Sequence, residues 1–314
     1  MVDWITTILT ILGLSLFEII SSIDNAVINA EVLHTMSPRA RRWFLLWGII
    51  FAVFVIRGLL PWVIIWVSNP SLGFIGSLTA TFSSDPAVAE AIEKSAPVLL
   101  AGGGVFLIFL FFHWLFMEAK VYGLHVEKFF QEQGGWFFAV VSVVLSVLVW
   151  FSLGRNPFMA FGAVLGSTAF FITHGFKQYA EKAEQDMISQ KKDRSLSDWS
   201  KIMYLEVIDA TFSIDGVVGA FAFTLSVPLI LIGNGLGAIV VRQLTVGNIE
   251  RVKKYKYLKN GAMYSIVALG IIMLADAFGV EVPSYVSPLI TFLVLGYFFW
   301  RSKRELDAEL PAQS

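Results

Sequence analysis

Residues 17–30 read FEIISSIDNAVINA, residues 204–222 read YLEVIDATFSIDGVVGAFA, and the two stretches align without a gap. Glu18 falls on Asp209, Ser22 on Ser213, Asp24 on Asp215, Asn25 on Gly216 and Val27 on Val218. Each copy places two acids six residues apart inside an otherwise apolar run. The runs have the hydropathy of membrane helices, and any reading of function has to account for their acids.

Working outward, the next apolar run of each half also agrees. Gly48-IIFAVFVI-Arg57 resembles Asn234-GLGAIVV-Arg242, a glycine-containing segment that closes on an arginine. A third pair, Gly104-VFLIFLFFHWLFM-Glu118 and Gly261-AMYSIVALGIIMLA-Asp276, matches with its closing acids one position out of register.

The composition supports a membrane solvent throughout: 56% hydrophobic residues, 28 Phe and only 15% charged residues, far from a soluble average. Crossing about 30 Å of hydrocarbon takes about 20 apolar residues. Nine stretches are candidates: 5–33, 43–67, 97–117, 136–153, 157–175, 202–224, 228–247, 261–279 and the shorter 285–300. The expected fold is therefore all-α, a polytopic bundle in one membrane domain, 1–314. A first repeat covers 4–118, an inserted helix pair 136–175, a second repeat 200–279, and a final helix 285–300.

Five crossings precede the second copy, so it enters from the opposite face, the inverted arrangement that sets a substrate site near the midplane between halves. Nine crossings also put all but four of the 23 Lys and Arg on one face, the exceptions being Lys94, Arg155, Arg57 and Arg242. Basic residues are retained on the cytoplasmic side, so the N-terminus is expected outside and the C-terminus inside a prokaryotic cytoplasmic membrane. The first apolar stretch has no basic n-region and contains acids, and it reads as a retained helix rather than a cleaved peptide. No cysteine is present, which excludes thiol redox chemistry and soft Cys-ligated metals.

Glu18, Asp24, Glu206, Asp209 and Asp215 all fall in apolar spans. A charge at the bilayer centre costs about 2.5–3.5 kcal/mol even on the mild insertion scale, so these groups are expected to face the bundle interior. Arg57 and Arg242 offset two of them. Three carboxylates then need protons or a bound cation. Six residues on a continuous helix amount to about 600° of rotation, which would turn the two acids of each copy in different directions. Ser21, Ser22 and Asn25, and likewise Ser213 and Gly216, compete with or loosen helical hydrogen bonding, so both helices are expected to be broken there and to line a polar cavity. Carboxylates, the Asn25 amide oxygen, hydroxyls and freed carbonyls make an all-oxygen site, suited to Mn²⁺, Ca²⁺ or Mg²⁺ rather than Zn²⁺ or Cu⁺.

The rest of the sequence adds little chemistry. His113 reads as a hydrogen-bonded core residue, and His34, His125 and His174 form no metal cluster. Gly102, Gly103 and Gly104 read as close helix packing, because no strand precedes them and no Lys-Ser/Thr follows. A short helix is expected from Pro86 in the 68–96 segment, and a charged helical extension over 176–200.

At Glu18 to Asn25 and Glu206 to Gly216 the chain resembles the TerC family of integral membrane proteins, whose signatures are an acid followed by Ser-Ile-Asp-Asn, and Glu-x-x-Asp followed by a second Asp. Tyr257-Leu258-Lys259-Asn-Gly261 leading into Gly270-IIMLADAFG is similar to that family's later signature. The resemblance covers the first three helices and residues 201–300. The fourth and fifth helices look like an insertion, and Gly216 stands where many members have Ser. The resemblance implies a transporter of the LysE-type superfamily, with members linked to manganese export or named for tellurite resistance. It also implies that Glu18, Asp24, Asn25, Asp209 and Asp215 correspond to the family's acidic positions, with Glu206 beside them.

The expectation is thus a transporter, not an enzyme: an exporter of Mn²⁺ or a similar hard divalent ion, coupled to protons by alternating access. Its metal ligands are Glu18, Asp24, Asn25, Glu206, Asp209 and Asp215. Ser22, Arg57, Ser213, Asn234 and Arg242 lie along the path or compensate charge. No cofactor is expected beyond the transported cation; the partners are metal ion, proton and bilayer, with no nucleic acid, and a homo-oligomer stays open. The rival is a non-transporting scaffold for membrane-protein assembly or metal loading. A third reading, an intramembrane aspartyl protease, is disfavoured because its Gly-x-Gly-Asp sequence is absent.

Overall fold

A computed structural model describes residues 4–48, 51, 58–59, 62–63, 66, 73–80, 86–189, 197–247 and 249–309. Arg57 and most of the expected second span lie outside the described residues, as does the side chain of Asp24. The described residues are almost entirely helical and contain no strand.

The chain forms α1 (Trp4–Ser21), α2 (Ile23–His34) and α3 (Pro38–Trp43), followed by a π-helical turn, Phe44–Gly48. After α4 (Gly73–Ala80) come the long α5 (Pro86–Met117) and a short helix, α6 (His125–Glu132). Next are two helices where the inserted pair was expected, α7 (Phe137–Leu153) and α8 (Pro157–Ser189). The second half runs α9 (Asp198–Ala220), α10 (Val227–Gly247), α11 (Ile249–Lys253) and α12 (Leu258–Ala277), and α13 (Val286–Glu309) closes the chain.

Six of these helices are long and apolar enough to cross a membrane, and the chain is a polytopic integral membrane protein. α9 has 23 residues, a length of roughly 34 Å at 1.5 Å per residue, and is the helix that carries Glu206, Asp209 and Asp215. Exposure follows the lipid solvent. Phe138, Val143, Val147, Trp150 and Phe151 of α7 face outward, which in water would be a large apolar patch. α5 is the centre and α7 the rim: 72% of the α5 span is buried against 17% of the α7 span.

α1 shows why the helices pack as they do. Its buried residues, Thr10, Gly13, Leu14, Phe17 and Glu18, recur at helical spacing on one face, while Trp4, Ile5, Ile8 and Leu12 face outward. Small residues set the closest approaches. A Cβ on Gly102 would lie 2.8 Å from the Gly162 carbonyl of α8, and one on Gly104 would lie 3.0 Å from the Gly270 carbonyl of α12. The glycine run expected to pack helices does so on two sides of α5.

At the ends of α5 and α12, polar contacts cap α5 and tie the chain that follows it to α12. Glu118 pairs with Lys259, and Lys120 donates to the carbonyls of Trp114 (2.6 Å) and Leu115 (2.8 Å), with burial pushing its amine down from the ordinary value. Glu127 of α6 is fully buried and accepts from Gly123 N (2.7 Å) and from Asn260 Nδ2 of α12 (2.8 Å). Isolated polar residues in an amphipathic loop helix gave no sign of this clasp.

Three expectations need correcting. The interruption between α1 and α2 is one residue, Ser22, and the backbone ladder continues across it, Ser22 N to Glu18 O at 3.1 Å and Ala26 N to Ser22 O at 2.9 Å. α9 is not broken at all. Ser213 satisfies its hydroxyl on the Asp209 carbonyl one turn back (2.6 Å), a bond made inside an intact helix. Third, the segment from Pro86 is not a separate short helix but the first turns of α5, with Pro97 accommodated inside it. The charged extension past 176 continues α8 to Ser189.

Candidate functional site

An unbroken α9 puts Glu206, Asp209, Ser213 and Gly216 at spacings of three, four and three, one stripe along one helix face. That stripe meets the α1–α2 helix and the π-helical turn. Asp215 lies about 120° away from Asp209 around α9, half-buried and off the stripe.

At one end of the stripe is Glu18, 1% exposed. Ser22 Oγ donates to Glu18 Oε1 at 2.6 Å. A Cβ on Gly216 would lie 3.0 Å from Glu18 Oε2, and a Cβ on Gly237 of α10 would lie 2.6 Å from Glu18 Cβ. Two glycines therefore make the space the carboxylate occupies. In the middle, Asn25 Nδ2 donates to Asp209 Oδ1, joining α2 to α9. At the far end, Glu206 is buried beside Gly48 of the π-helical turn, whose Cβ position its Oε1 overlaps.

These contacts have a regularity the alignment makes visible. Glu18 aligns with Asp209 and Asn25 with Gly216, and Glu18 meets Gly216 while Asp209 meets Asn25. Each contact is the other with its two aligned positions exchanged. The difference is that Asp209 has an amide donor where Glu18 has a glycine and, instead, the Ser22 hydroxyl.

The remaining expected residues are placed as follows. Asn234 of α10 is 1% exposed. Neither of its side-chain polar atoms, nor Asn25 Oδ1, nor either oxygen of Glu206, has a hydrogen-bond partner among the described residues. Arg242, half-buried on α10, forms no ion pair with these carboxylates among the described residues. The structure thus brings Asn25, Glu206, Asp209, Ser213 and the Glu18–Ser22 pair onto one seam. It does not gather three or more His, Asp or Glu into a preformed metal site among the described residues. His113 packs against His174 of α8, ring centroids 3.7 Å apart, between Phe137 and Phe170; it lies on α5, outside the seam.

Sequence reasoning missed Gly237 and Gly48 as residues that shape the acid pockets. The available signal was that both glycines lie in the two aligned second spans, near Arg57 and Arg242.

Comparison with known proteins gives a family but no chemistry. No solved structure matches the chain. An uncharacterized membrane protein of Bacillus subtilis (strain 168), YceF, is 31% identical over 85 residues, covering 27% of this chain and 33% of that protein. The chain thus matches about a third of the length of this curated relative. A family profile described as "Protein of unknown function (DUF475)" matches residues 23–308, the greater part of the chain, and the protein therefore belongs to the DUF475 family.

Proposed function

We propose that the chain carries a hard divalent cation, Mn²⁺ foremost, across the cytoplasmic membrane outward, with protons moving in exchange. One observation carries the reading: the oxygens of Glu206 and Asn25 Oδ1 are buried with no donor among the described residues, on the same helix seam as Asp209. Burying a carboxylate in this way is costly unless a positive species joins it. Oxygen donors alone suit Mn²⁺, Mg²⁺ or Ca²⁺.

The crossed contacts of Glu18 and Asp209 support two related halves that exchange roles, as alternating access requires. In this reading Ser22, Ser213 and Asn234 line the path, Asp24 and Asp215 take the ion at other stages, and Arg57 and Arg242 stand in for it when it leaves. The resemblance to the TerC family favours manganese within the hard-ion class. Loop charge favours an outer N-terminus and an inner C-terminus.

The test is flux in sealed vesicles of purified protein loaded with a metal-sensitive dye, with Mn²⁺, Ca²⁺, Mg²⁺ and Zn²⁺ compared. Mn²⁺ should move, and Asp209→Asn and Glu206→Gln should each abolish movement while leaving the protein in the membrane. Full flux in both variants removes the site. No flux in the wild type, with a stable membrane partner on pull-down, replaces transport by the scaffold reading.

A further inference from the structure

A cavity of about 420 Å³ opens at the end of the bundle where α1 begins and α9 and α12 end. Thr6, Thr7 and Thr10 of α1, Thr224 and Ser284 give it a hydroxyl-rich wall, and Asp276 is the charged residue among those lining it. Asp276 Oδ1 accepts from Val282 N (2.9 Å). That bond holds the carboxylate in place and uses one of its two oxygens. Carboxylate and hydroxyl oxygens without nitrogen or sulfur are the ligand chemistry of hard, partly hydrated divalent ions.

Between this cavity and Glu18 stands an apolar collar. Thr10 lies eight residues before Glu18, about 12 Å along the helix. Over that distance Leu14 and Phe17 are buried in one apolar cluster with Ile230 of α10 and Phe223, and the rings of Phe17 and Phe223 lie 5.8 Å apart. Glycine makes the closure: a Cβ on Gly13 would lie 2.9 Å from the Phe223 ring, and one on Gly219 would lie 2.5 Å from that of Phe17. Any larger residue at either position displaces a ring of the collar.

We propose that this cavity is the vestibule of the cation path on the side of the α1 N-terminus, that Asp276 is a second, transient site for the divalent ion there, and that Phe17 against Phe223 closes it from Glu18. The proposal rests on the transport reading above and locates one mouth of its path. A 2.9 Å bond to one oxygen leaves Asp276 able to hold an ion weakly through the other, as an entry or exit station requires.

The chain has no cysteine, so one introduced thiol is the only one that reacts. Thr7→Cys and, as a second reporter, Ser284→Cys are made in the protein reconstituted in vesicles, together with Asp276→Asn, which keeps an oxygen for Val282 N. Membrane-impermeant thiosulfonates of either charge are applied from each side in turn. Both thiols should react from one and the same side, the cationic reagent faster than the anionic one by at least about fivefold, as expected when a carboxylate shares the cavity with them. Mn²⁺ should slow the cationic reagent, and both effects should vanish in Asp276→Asn.

Ser21→Cys should be inert from that side and become reactive when Phe17→Ala is added. Thiols at 7 and 284 that react from neither side overturn the vestibule. Protection by Mn²⁺ that survives Asp276→Asn overturns the second site, and a Ser21→Cys thiol that reacts with Phe17 intact overturns the closure. These readouts need no flux. If wild-type vesicles carry no metal while the labelling pattern holds, the transport reading falls and the cation-binding cavity stands.

Discussion

Replacing Gly237 by Ala tests whether close approach of α10 to α1 is what seats Glu18. The new Cβ would lie 2.6 Å from Glu18 Cβ, 2.7 Å from Glu18 Cγ and 2.7 Å from the Ser15 carbonyl. Ordinary contact begins near 3.4 Å, so α1 has to withdraw by roughly 1 Å, and a backbone oxygen cannot swing aside as a side chain can. Overpacking of this kind costs about 1–3 kcal/mol. Alanine also gains up to about 1 kcal/mol of helix propensity over glycine, which obscures the raw value. Gly296 of α13 supplies the reference, because a Cβ there meets nothing within 4 Å and the propensity gain is the same. The difference between Gly237→Ala and Gly296→Ala is therefore the packing cost alone. At about 2 °C per kcal/mol for a chain of this size, the Gly237 variant should melt roughly 2–6 °C below the Gly296 variant. Thermal melts in detergent followed by tryptophan emission measure this, with vesicle flux on the same preparations. Melts that agree within about 1 °C, with equal flux, refute the account of how Glu18 is held.

Three further outcomes follow from the geometry. Gly216→Asn gives Glu18 the amide donor that Asp209 already has, a bond worth about 1.5–3 kcal/mol to a charged acceptor; Mn²⁺ should then bind at least about tenfold more weakly by titration calorimetry than in Gly216→Ala, which adds bulk without a donor. Asp198 is held below its ordinary value of 3.8 by the hydroxyl and amide of Ser37, so its contribution to joining α3 and α9 is full above pH 3.8 and lost as pH falls through the lowered value. In Ser37→Ala the Asp198 titration, followed by carboxyl NMR, should move up toward 3.8; an unchanged midpoint contradicts the assignment. Glu118→Gln removes the ion pair to Lys259, whose side chains are 34% and 33% exposed, and should lower stability by less than about 1 kcal/mol; a larger loss in a chemical-denaturation series would mean the pair works as a buried one.

Much of the architecture is legible in the sequence, for a physical reason. Apolar runs longer than a bilayer is thick have one stable outcome, and the described parts of all nine expected spans are helical apart from a few turn residues. The Gly102–Gly104 packing was legible because three small residues inside a span have few other uses. The break in α9 was misread because Ser213 and Gly216 have two ways to behave. A serine competes with the helix or bonds back into it, and a glycine loosens a helix or admits a neighbour. Which happens depends on α1, which brings Glu18 against Gly216, and no local pattern reports that partner. The clasp of Glu127 was hidden likewise, since a lone acid in an amphipathic stretch looks solvated until Asn260 arrives from 133 residues away. The threonines of the cavity were visible at residues 6, 7 and 10 as hydroxyls on a lipid-length helix, but only the ends of α9 and α12 turn them into a wall.

The seam between α5 and α12 bears on how such a molecule can move. Carbonyl-level contact at Gly104 and Gly270 and the Glu118–Lys259 pair hold α5 against α12, and the Glu127 clasp ties α6 to α12 beside them. A hinge through that seam would have to open a close backbone-to-backbone contact. In the proposed transport the pair would serve as a keel, and conformational work would fall to the elements around it: α1 with its single-residue joint, α2 and α9. Under the proposed transport, a few spars would swing against a fixed timber, and distance probes placed across residues 104 and 270 should read the same with and without Mn²⁺.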